Sequence, residues 1–131
     1  MTTLHIEPFF HAGTGTWTYV VHREGDAVVI DPVLDYDPKS GRIGTDSLRA
    51  VQDYIAANGL EVQRILETHA HADHLTSAQV LREATGAPVG IGDGIRKVQA
   101  HFASVFGMEA GDPALRDAFD ATFDDGDTIE A

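Results

Sequence analysis

The residues with the most evident chemical potential form one short cluster, residues 69–74, with the sequence HAHADH. Imidazole nitrogens and a carboxylate are good ligands for zinc or iron, and the small alanine spacers leave room for the side chains to converge. The cluster therefore predicts a metal site made of His69, His71, Asp73 and His74. The alternative is a solvated loop in which Asp73 caps the following helix, although capping and ligation by Asp73 are compatible.

The segments on either side of the cluster predict how it is positioned. Residues 62–67 read as a short buried strand, and Leu75, Ala78 and Leu81 follow at helical spacing until Gly86 ends the stripe. A loop between a strand and a helix can bring ligands together from a rigid scaffold. The pattern thus places the predicted metal site on a strand-to-helix loop.

The remaining pattern predicts an alternation of strands and helices. Segments 17–22 and 27–30 predict a β-hairpin, and residues 35–44 predict a loop. Further predictions are a helix over 46–58 capped by Thr45, a strand over 88–91, a helical stripe (Ile95, Val98, Phe102, Val105) ending at Gly107, a fourth helix from Asp112, and a strand opening at Thr128 after a turn. This order favours the α/β class, with helices covering a sheet.

Composition narrows the possible partners and the available metal ligands. The 131 residues suit one domain, and 9 basic against 21 acidic residues give a formal net charge of −12, which repels nucleic acid and anionic lipid. With no cysteine, any metal must be held by histidine and carboxylate. No apolar run approaches the roughly 20 residues of a membrane span, and the first residues lack a signal pattern, so we expect no membrane contact and a cytoplasmic protein.

The cluster at residues 69–74 resembles the HxHxDH signature of the metallo-β-lactamase superfamily, and the resemblance covers nearly the whole chain. Segments 15–19, 29–37 and 91–99 most resemble bacterial persulfide dioxygenases, while glyoxalase II, a thioester hydrolase, shares the histidine motif. The resemblance implies an α/β fold, namely the N-terminal half of the αββα sandwich, with a mixed sheet and helices packed on it.

Two chemistries follow from the resemblance. In a persulfide dioxygenase, one Fe(II) held by two His and one Asp would oxidise glutathione persulfide to sulfite and glutathione, with His69 as the first iron ligand and His71, Asp73 and His74 orienting the site. In a glyoxalase II-type enzyme, His69 and His71 would bind one zinc ion, and Asp73 and His74 a second, producing a hydroxide that attacks a thioester. Both imply a small thiol or persulfide substrate.

Some residues outside the cluster are also candidates for a role in the site. Asp31 resembles the Asp that supports the metal loop in this fold, although an ordinary acid ending a strand before Pro32 is the alternative. His11, beside two phenylalanines, is expected to be packed or exposed and outside the site. Residues without a clear pattern are His5, His22 and His101, the last expected at the surface, and Tyr36 and Arg96, which could contact substrate.

The resemblance places the remaining His and Asp ligands in the second half of the domain, beyond the strand predicted at Thr128. We therefore expect residues 1–131 to be a metallo-β-lactamase-like domain truncated at its C-terminal end. The alternatives are a second chain that completes the site, or an inactive half used as a binding module. An uncovered half-sandwich would expose apolar surface, which predicts a homodimer.

Overall fold

The computed structural model describes residues 3–37, 39–69, 75–107 and 119–130. These residues form nine strands and three helices in an alternating order. The elements are β1 (His5–His11), β2 (Thr16–Arg23), β3 (Asp26–Ile30), β4 (Val33–Asp37), β5 (Arg42–Gly44), α1 (Asp46–Ala57), β6 (Glu61–Leu66), β7 (Leu75–Thr76), α2 (Ala78–Thr85), β8 (Val89–Gly92), α3 (Ile95–Phe106) and β9 (Ala121–Phe123).

The described strands form two sheets. The larger has six strands in the order β1-β2-β3-β6-β8-β9; the first three are antiparallel, and β3, β6, β8 and β9 run parallel. The smaller sheet has the order β5-β4-β7 and is antiparallel. The mixed sheet with helices confirms the predicted α/β class.

The hairpin between β2 and β3 forms where the sequence predicts it. Arg23 and Asp26 are paired across the strands, which leaves Glu24 and Gly25 as a two-residue loop. Both loop residues have positive φ, 55° and 89°, as a type I′ turn requires. Glycine adopts this conformation at no steric cost, so the turn chemistry sets the register of the hairpin.

The hydrophobic core lies between the larger sheet and the helices α1 and α2. Alternate strand residues face it, because successive side chains of a strand point to opposite faces. Its buried members are Val20, Ala27, Val29, Leu48, Val51, Val62, Ile65, Ala78, Leu81, Ala87 and Val89. The predicted stripe of α1 therefore packs as expected, as do Ala78 and Leu81 of α2. The third residue of the second predicted stripe, Leu75, belongs to strand β7 instead, because it pairs with β4.

The opposite face of the larger sheet is apolar and largely uncovered along β1 and β2. Phe10 and Trp17 are cross-strand partners with ring centroids 4.8 Å apart, and their exposed fractions are 56% and 47%. Ile6 lies on the same face and is 54% exposed. In a sandwich, this is the face on which a second sheet packs.

Two further predictions, those for residues 35–44 and for Thr128, differ from the structure. The loop prediction for 35–44 is wrong, because β4 extends to Asp37 and pairs with β5. The strand prediction at Thr128 is also wrong: the strand precedes the turn, as β9, and residues 128–130 form none. Strand β1 was not anticipated, since its aromatic and histidine residues lack a regular polar alternation. The predicted fourth helix from Asp112 lies outside the described residues.

The N-terminus of α1 is capped by a distant residue. Thr45 occupies the predicted N-cap position but makes no side-chain capping hydrogen bond. Instead, the backbone N–H and hydroxyl of Ser47 donate to the carboxylate of Asp35, at 2.8 and 2.5 Å. A carboxylate satisfies an unpaired amide at a helix N-terminus and interacts favourably with the helix dipole. Asp35 thus ties β4 to α1.

In α3, the predicted stripe is only partly buried. Ile95 is 8% exposed, whereas Val105 at the other end is 60% exposed. None of the described helices is both long and apolar enough to span a membrane.

Candidate metal centre

The candidate site lies at one edge of the larger sheet. Strands β3, β6 and β8 are parallel neighbours, so their carboxyl ends meet at the same edge. Asp31 directly follows β3, Thr68 and His69 follow β6, and Asp93 follows β8. Open sheets with parallel strands bind ligands at this edge, since the loops there leave a crevice.

Asp31 anchors the start of the loop that carries the motif. Its carboxylate accepts hydrogen bonds from the backbone N–H of Thr68 at 2.8 Å and from the Thr68 hydroxyl at 2.7 Å. Its own N–H donates to the carbonyl of Leu66, and its carbonyl accepts from the buried Thr18 hydroxyl. Asp31 is 7% exposed and has φ of 55°, an uncommon conformation for a residue with a side chain.

The same hydrogen bonds determine which nitrogen of His69 carries the proton. The Thr68 hydroxyl has one proton, which it donates to Asp31. Because Nδ1 of His69 lies 2.8 Å from that hydroxyl oxygen, Nδ1 must be the donor in this contact. The neutral imidazole is then unprotonated at Nε2, the form required of a metal ligand.

Both ends of the loop are held. At its start, Glu67 is 7% exposed and its N–H donates to the carbonyl of Gly90. At its end, the Thr76 hydroxyl contacts the Glu67 carboxylate, and it accepts from the N–H of Ala78 at 3.1 Å. Strand β7 also pairs with β4, with Val33 opposite Thr76. Glu67 and Thr76, which flank the motif, are therefore held together and joined to β4 and α2.

Of the predicted metal ligands, His69 is the one within the described residues. His71, Asp73 and His74 lie outside them, as does the alternative role of Asp73 as a helix cap. Among the described residues, no three His or acidic side chains form a cluster able to hold a metal. The predicted donor set of three imidazoles and a carboxylate suits zinc or iron, and Nε2 of His69 would supply one donor of that set.

His11 is packed, as expected, but it belongs to a polar network. Its Nδ1 lies 2.8 Å from the Thr14 hydroxyl and its Nε2 lies 3.1 Å from the Asp35 carboxylate. Burial raises the pKa of Asp35, but the hydrogen bonds from Ser47 and the contact with His11 outweigh burial, so the pKa falls below its ordinary value of 3.8. This network joins β1, β4 and α1; no local pattern in the sequence connects its members.

A cavity of about 340 Å³ opens beside His69. Thr68 and His69 line one side of it. The other side is formed by the end of β8 and the start of α3, through Ile91, Gly92, Gly94, Ile95 and Val98. No local pattern in the sequence indicates this cavity, although part of its lining lies in segment 91–99, which resembles persulfide dioxygenases.

The other residues weighed from the sequence lie apart from these contacts. Tyr36 is exposed on β4, and the exposed Arg96 donates to the side chain of Gln99. His22 hydrogen-bonds with the Tyr54 hydroxyl at 2.8 Å, and its ring lies 4.9 Å from that of His5. His101 is exposed on α3, as predicted.

The chain belongs to the metallo-β-lactamase superfamily, whose family model matches residues 12–131. The superfamily is metal-dependent, typically on zinc or iron, and its αβ/βα sandwich fits the mixed sheet and helices described above. This match confirms the resemblance to the metallo-β-lactamase superfamily and the predicted α/β fold class.

Several curated proteins are similar in sequence over most of this chain. A probable metallo-hydrolase of Burkholderia pseudomallei is 41% identical over 128 residues, covering 95% of this chain and 43% of the relative. Glyoxylase B2 of Dictyostelium discoideum is 32% identical, covering 93% of this chain and 42% of the relative. The chain thus spans less than half the length of these relatives.

Solved structures agree on the fold. ETHE1 from Myxococcus xanthus superposes with a TM-score of 0.55 and 31% identity, covering 66% of this chain and 34% of that one. A class B3 di-zinc metallo-β-lactamase, LRA-12 from an Alaskan soil metagenome, gives a TM-score of 0.58 at 21% identity, covering 95% and 48%. At that identity, the second structure supports the fold alone.

Proposed function

We propose that residues 69–74 hold a metal ion and that the domain acts as an Fe(II)-dependent persulfide dioxygenase. The observation that carries the metal site is the chain of hydrogen bonds from Asp31 through Thr68 to His69. In the neutral imidazole of His69, these bonds place the proton on Nδ1 and leave Nε2 as the acceptor, at the edge where the ends of β3 and β6 meet. Such outer partners hold a histidine ligand in one tautomer and one orientation.

The dioxygenase chemistry is supported by similarity. Segments 15–19, 29–37 and 91–99 resemble bacterial persulfide dioxygenases, and the 31% identical structure is ETHE1, a persulfide dioxygenase. The proposed reaction oxidises glutathione persulfide with dioxygen and water to sulfite and glutathione. The relatives are more than twice as long as this chain, so their whole-protein activity is carried to it as a proposal.

The proposed roles of this chain's residues follow from the contacts. His69 would ligate through Nε2, while Asp31 and Thr68 hold its ring. His71, Asp73 and His74 are the other candidates to ligate or to orient the site. Bound iron would supply open positions for the persulfide sulfur and for dioxygen. We propose residues 1–131 as the N-terminal half of such a domain.

A dinuclear zinc thioester hydrolase is the second candidate. The cavity beside His69 favours it, since about 340 Å³ has room for a carbon chain on the reacting sulfur. Two relatives, named Glyoxylase B2 and hydroxyacylglutathione hydrolase, also support the thioester hydrolase. In this candidate, His69 and His71 would share one zinc, and Asp73 and His74 a second.

Metal uptake and turnover, measured on the same protein, test the proposal. The chain is loaded anaerobically with Fe(II) or with Zn²⁺, desalted, and analysed for metal per chain. Oxygen consumption with glutathione persulfide and hydrolysis of a glutathione thioester are then recorded. Because the resemblance places the remaining ligands in the second half of the domain, we expect iron uptake by this chain and iron-dependent oxygen consumption once that half is supplied. Two zinc ions per chain with thioester hydrolysis and no oxygen consumption would favour the hydrolase instead. No turnover of either substrate would favour an inactive binding module.

His69→Ala identifies the ligand. It should abolish stoichiometric uptake of either metal, because it removes the donor that the Thr68 contact orients. His101→Ala, a change at an exposed histidine of α3, is the matched control and should retain uptake. Equal uptake by both variants would refute the proposed site.

A further inference from the structure

Two histidines lie side by side on the first two strands, away from the candidate metal centre. His5 of β1 and His22 of β2 are cross-strand partners, and their ring centroids are 4.9 Å apart. Asp31 contacts β2 at Thr18, four residues before His22, which is about 13 Å along the strand. The two histidines therefore form a group separate from the hydrogen bonds that lead to His69.

The spacing of the two rings suits imidazoles that share one metal ion. Imidazole nitrogens bind such an ion at about 2.0–2.1 Å, and bond angles of about 90–110° at the ion then place the ring centroids about 4.5–5.2 Å apart. The observed separation of 4.9 Å falls within this range. The side chain of His5 is 54% exposed, so an ion can reach the pair and water can complete its coordination.

Glu7 holds His5 in the form that a metal ligand needs. The carboxylate oxygen Oε2 of Glu7 lies 3.2 Å from Nε2 of His5, two residues away on the same face of β1. A carboxylate can only accept a hydrogen bond, so Nε2 carries the proton and Nδ1 of the neutral ring keeps a free lone pair. Carboxylates commonly hold histidine ligands in this way and fix their orientation.

Tyr54 of α1 holds the ring of His22 from the other side. Its hydroxyl lies 2.8 Å from Nε2 of His22. Burial and the charge of Glu7 raise the pKa of Tyr54, so the hydroxyl keeps its proton and does not compete as an anionic ligand. When Nε2 donates to this hydroxyl, Nδ1 of His22 is the nitrogen that remains for a metal. Each histidine thus has a neighbour at Nε2 and a second nitrogen for an ion.

The donor set favours one kind of ion. Two imidazoles with water in the remaining positions suit Cu²⁺, which binds nitrogen donors most tightly among the divalent first-row ions. No three His or acidic side chains of the described ranges form a metal-holding cluster, and this pair needs only two protein donors. Zn²⁺ and Fe²⁺ bind the same donors more weakly, so we expect desalting to remove them from this pair.

We propose that His5 and His22 form a second metal site, which binds one Cu²⁺ ion through both imidazoles, with Glu7 and Tyr54 orienting the rings. The two imidazoles act together because the first holds the ion at a high effective concentration beside the second. This site does not depend on the proposed metal centre at residues 69–74 or on the proposed enzymatic activity.

Copper titration of the ¹⁵N-labelled whole chain, followed by NMR, tests the proposal, since Cu²⁺ broadens the signals of residues close to it. The histidines of residues 69–74 also offer donors for copper, so a residue-resolved measurement is required. We expect broadened amide signals at His5, Glu7 and His22, in addition to any at residues 69–74. Glycine buffers the free copper concentration, and the affinity of the pair is read from the broadening at β1 and β2.

Substitutions test whether the two rings bind one ion together. His5→Asn and His22→Asn should each weaken copper binding at the pair by about 100-fold, and the double variant should bind little more weakly than either. Glu7→Ala should weaken it by about tenfold, the cost of losing an outer partner of a ligand. His101→Asn, at an exposed histidine of α3, is the matched control and should leave the affinity unchanged.

The same spectra show whether each variant is folded and identify the results that would overturn the proposal. One such result is the absence of broadening at His5 and His22 in the unsubstituted protein. Another is a single variant that binds copper at the remaining histidine with unchanged affinity, because the two rings would then bind separate ions. Broadening at the pair that persists in His69→Ala would support an independent second site, and its loss there would contradict one.

Discussion

At the residue scale, the proposed metal site depends on the positions of two protons, one on the Thr68 hydroxyl and one on Nδ1 of His69. The Thr68 hydroxyl gives its proton to Asp31, and His69 therefore gives its Nδ1 proton to Thr68. Asp31 reaches Thr68 from a backbone conformation with φ of 55°, a strained arrangement of the kind found where a structure must aim a side chain. The histidine ring is thus held by contacts with residues that need not touch metal themselves.

Thr68→Val should weaken zinc binding by about 10- to 100-fold, the usual cost of losing an outer partner of a metal-ligating histidine. Valine keeps the shape of threonine but removes the hydroxyl that fixes the His69 tautomer. Competition with a chromogenic chelator measures the affinity. Thr85→Val, which removes a hydroxyl from α2, is the control. Unchanged affinity in Thr68→Val would show that the hydroxyl does not orient the ligand.

The carboxylate of Asp35 gives a prediction in the acid range. Its pKa is lower in the folded protein than its ordinary value of 3.8, so the folded state favours the ionised form. The stability it contributes is fully present above that ordinary pKa and is lost as the pH falls through the lowered value. Asp35→Asn should therefore melt at a lower temperature than the unsubstituted protein near pH 6, and the difference should shrink below about pH 4.

Thermal melts between pH 3 and pH 7 test this dependence. Asp53→Asn, at an exposed position of α1, serves as the control and should shift the melting temperature little. A melting difference for Asp35→Asn that stays constant down to pH 3 would contradict the role of the ionised carboxylate.

At the element scale, the small sheet joins the two segments that flank the motif. Strand β4 begins two residues after Asp31, and β7 begins directly after the motif, so pairing β4 with β7 fastens both segments together. The hydrogen bond from the Thr76 hydroxyl to the Glu67 carboxylate joins the same two flanking segments directly. Neither feature involves the predicted metal ligands, so both hold the flanking residues independently of metal binding.

Packing of β9 on β8 requires a residue without a side chain at position 90, which is Gly90. A Cβ at Gly90 would lie 2.5 Å from the ring of Phe123, so Gly90→Ala forces that ring to move. We expect a loss of about 1–3 kcal/mol in the free energy of unfolding, as for other overpacked sites. Gly92→Ala, whose Cβ would meet its nearest atom at 3.9 Å, is the matched control.

Chemical denaturation measures both glycine variants. Adding Phe123→Leu to Gly90→Ala should recover part of the loss, because a smaller side chain then lies over β8. Equal stability of Gly90→Ala and Gly92→Ala would exclude the close approach of the ring.

At the scale of the whole molecule, the net charge and the exposed apolar sheet face have opposite effects on association between copies of the chain. Ile6, Phe10 and Trp17 present apolar surface on one face, which favours association. The net charge of −12 repels a second copy, and salt screens that repulsion. We therefore expect the chain to form dimers at micromolar concentration, and more of them as the salt concentration rises.

Light scattering at two salt concentrations measures this association. Trp17→Glu should favour the monomer by placing a charge on the open face, whereas Val80→Glu, at a 39% exposed position of α2, should not. A monomer at every salt concentration would refute the prediction.

The sequence alone identified the motif, the strand before it, the hairpin and the helices α1, α2 and α3. Each of these depends on neighbouring residues: a hydrophobic period, a Gly-containing turn, or ligands spaced within one loop. The superfamily followed from the motif for the same reason. His71, Asp73 and His74 remain predictions from that local pattern.

Only the tertiary structure decided how distant segments meet. The Asp31 carboxylate could have been an ordinary strand end; its two hydrogen bonds to Thr68 form because β3 and β6 are adjacent parallel strands. The pairing of β4 with β7, the capping of α1 by Asp35, and the cavity between His69 and α3 likewise join residues far apart in sequence. Such contacts depend on the relative placement of whole elements, which no local spacing of residue types encodes.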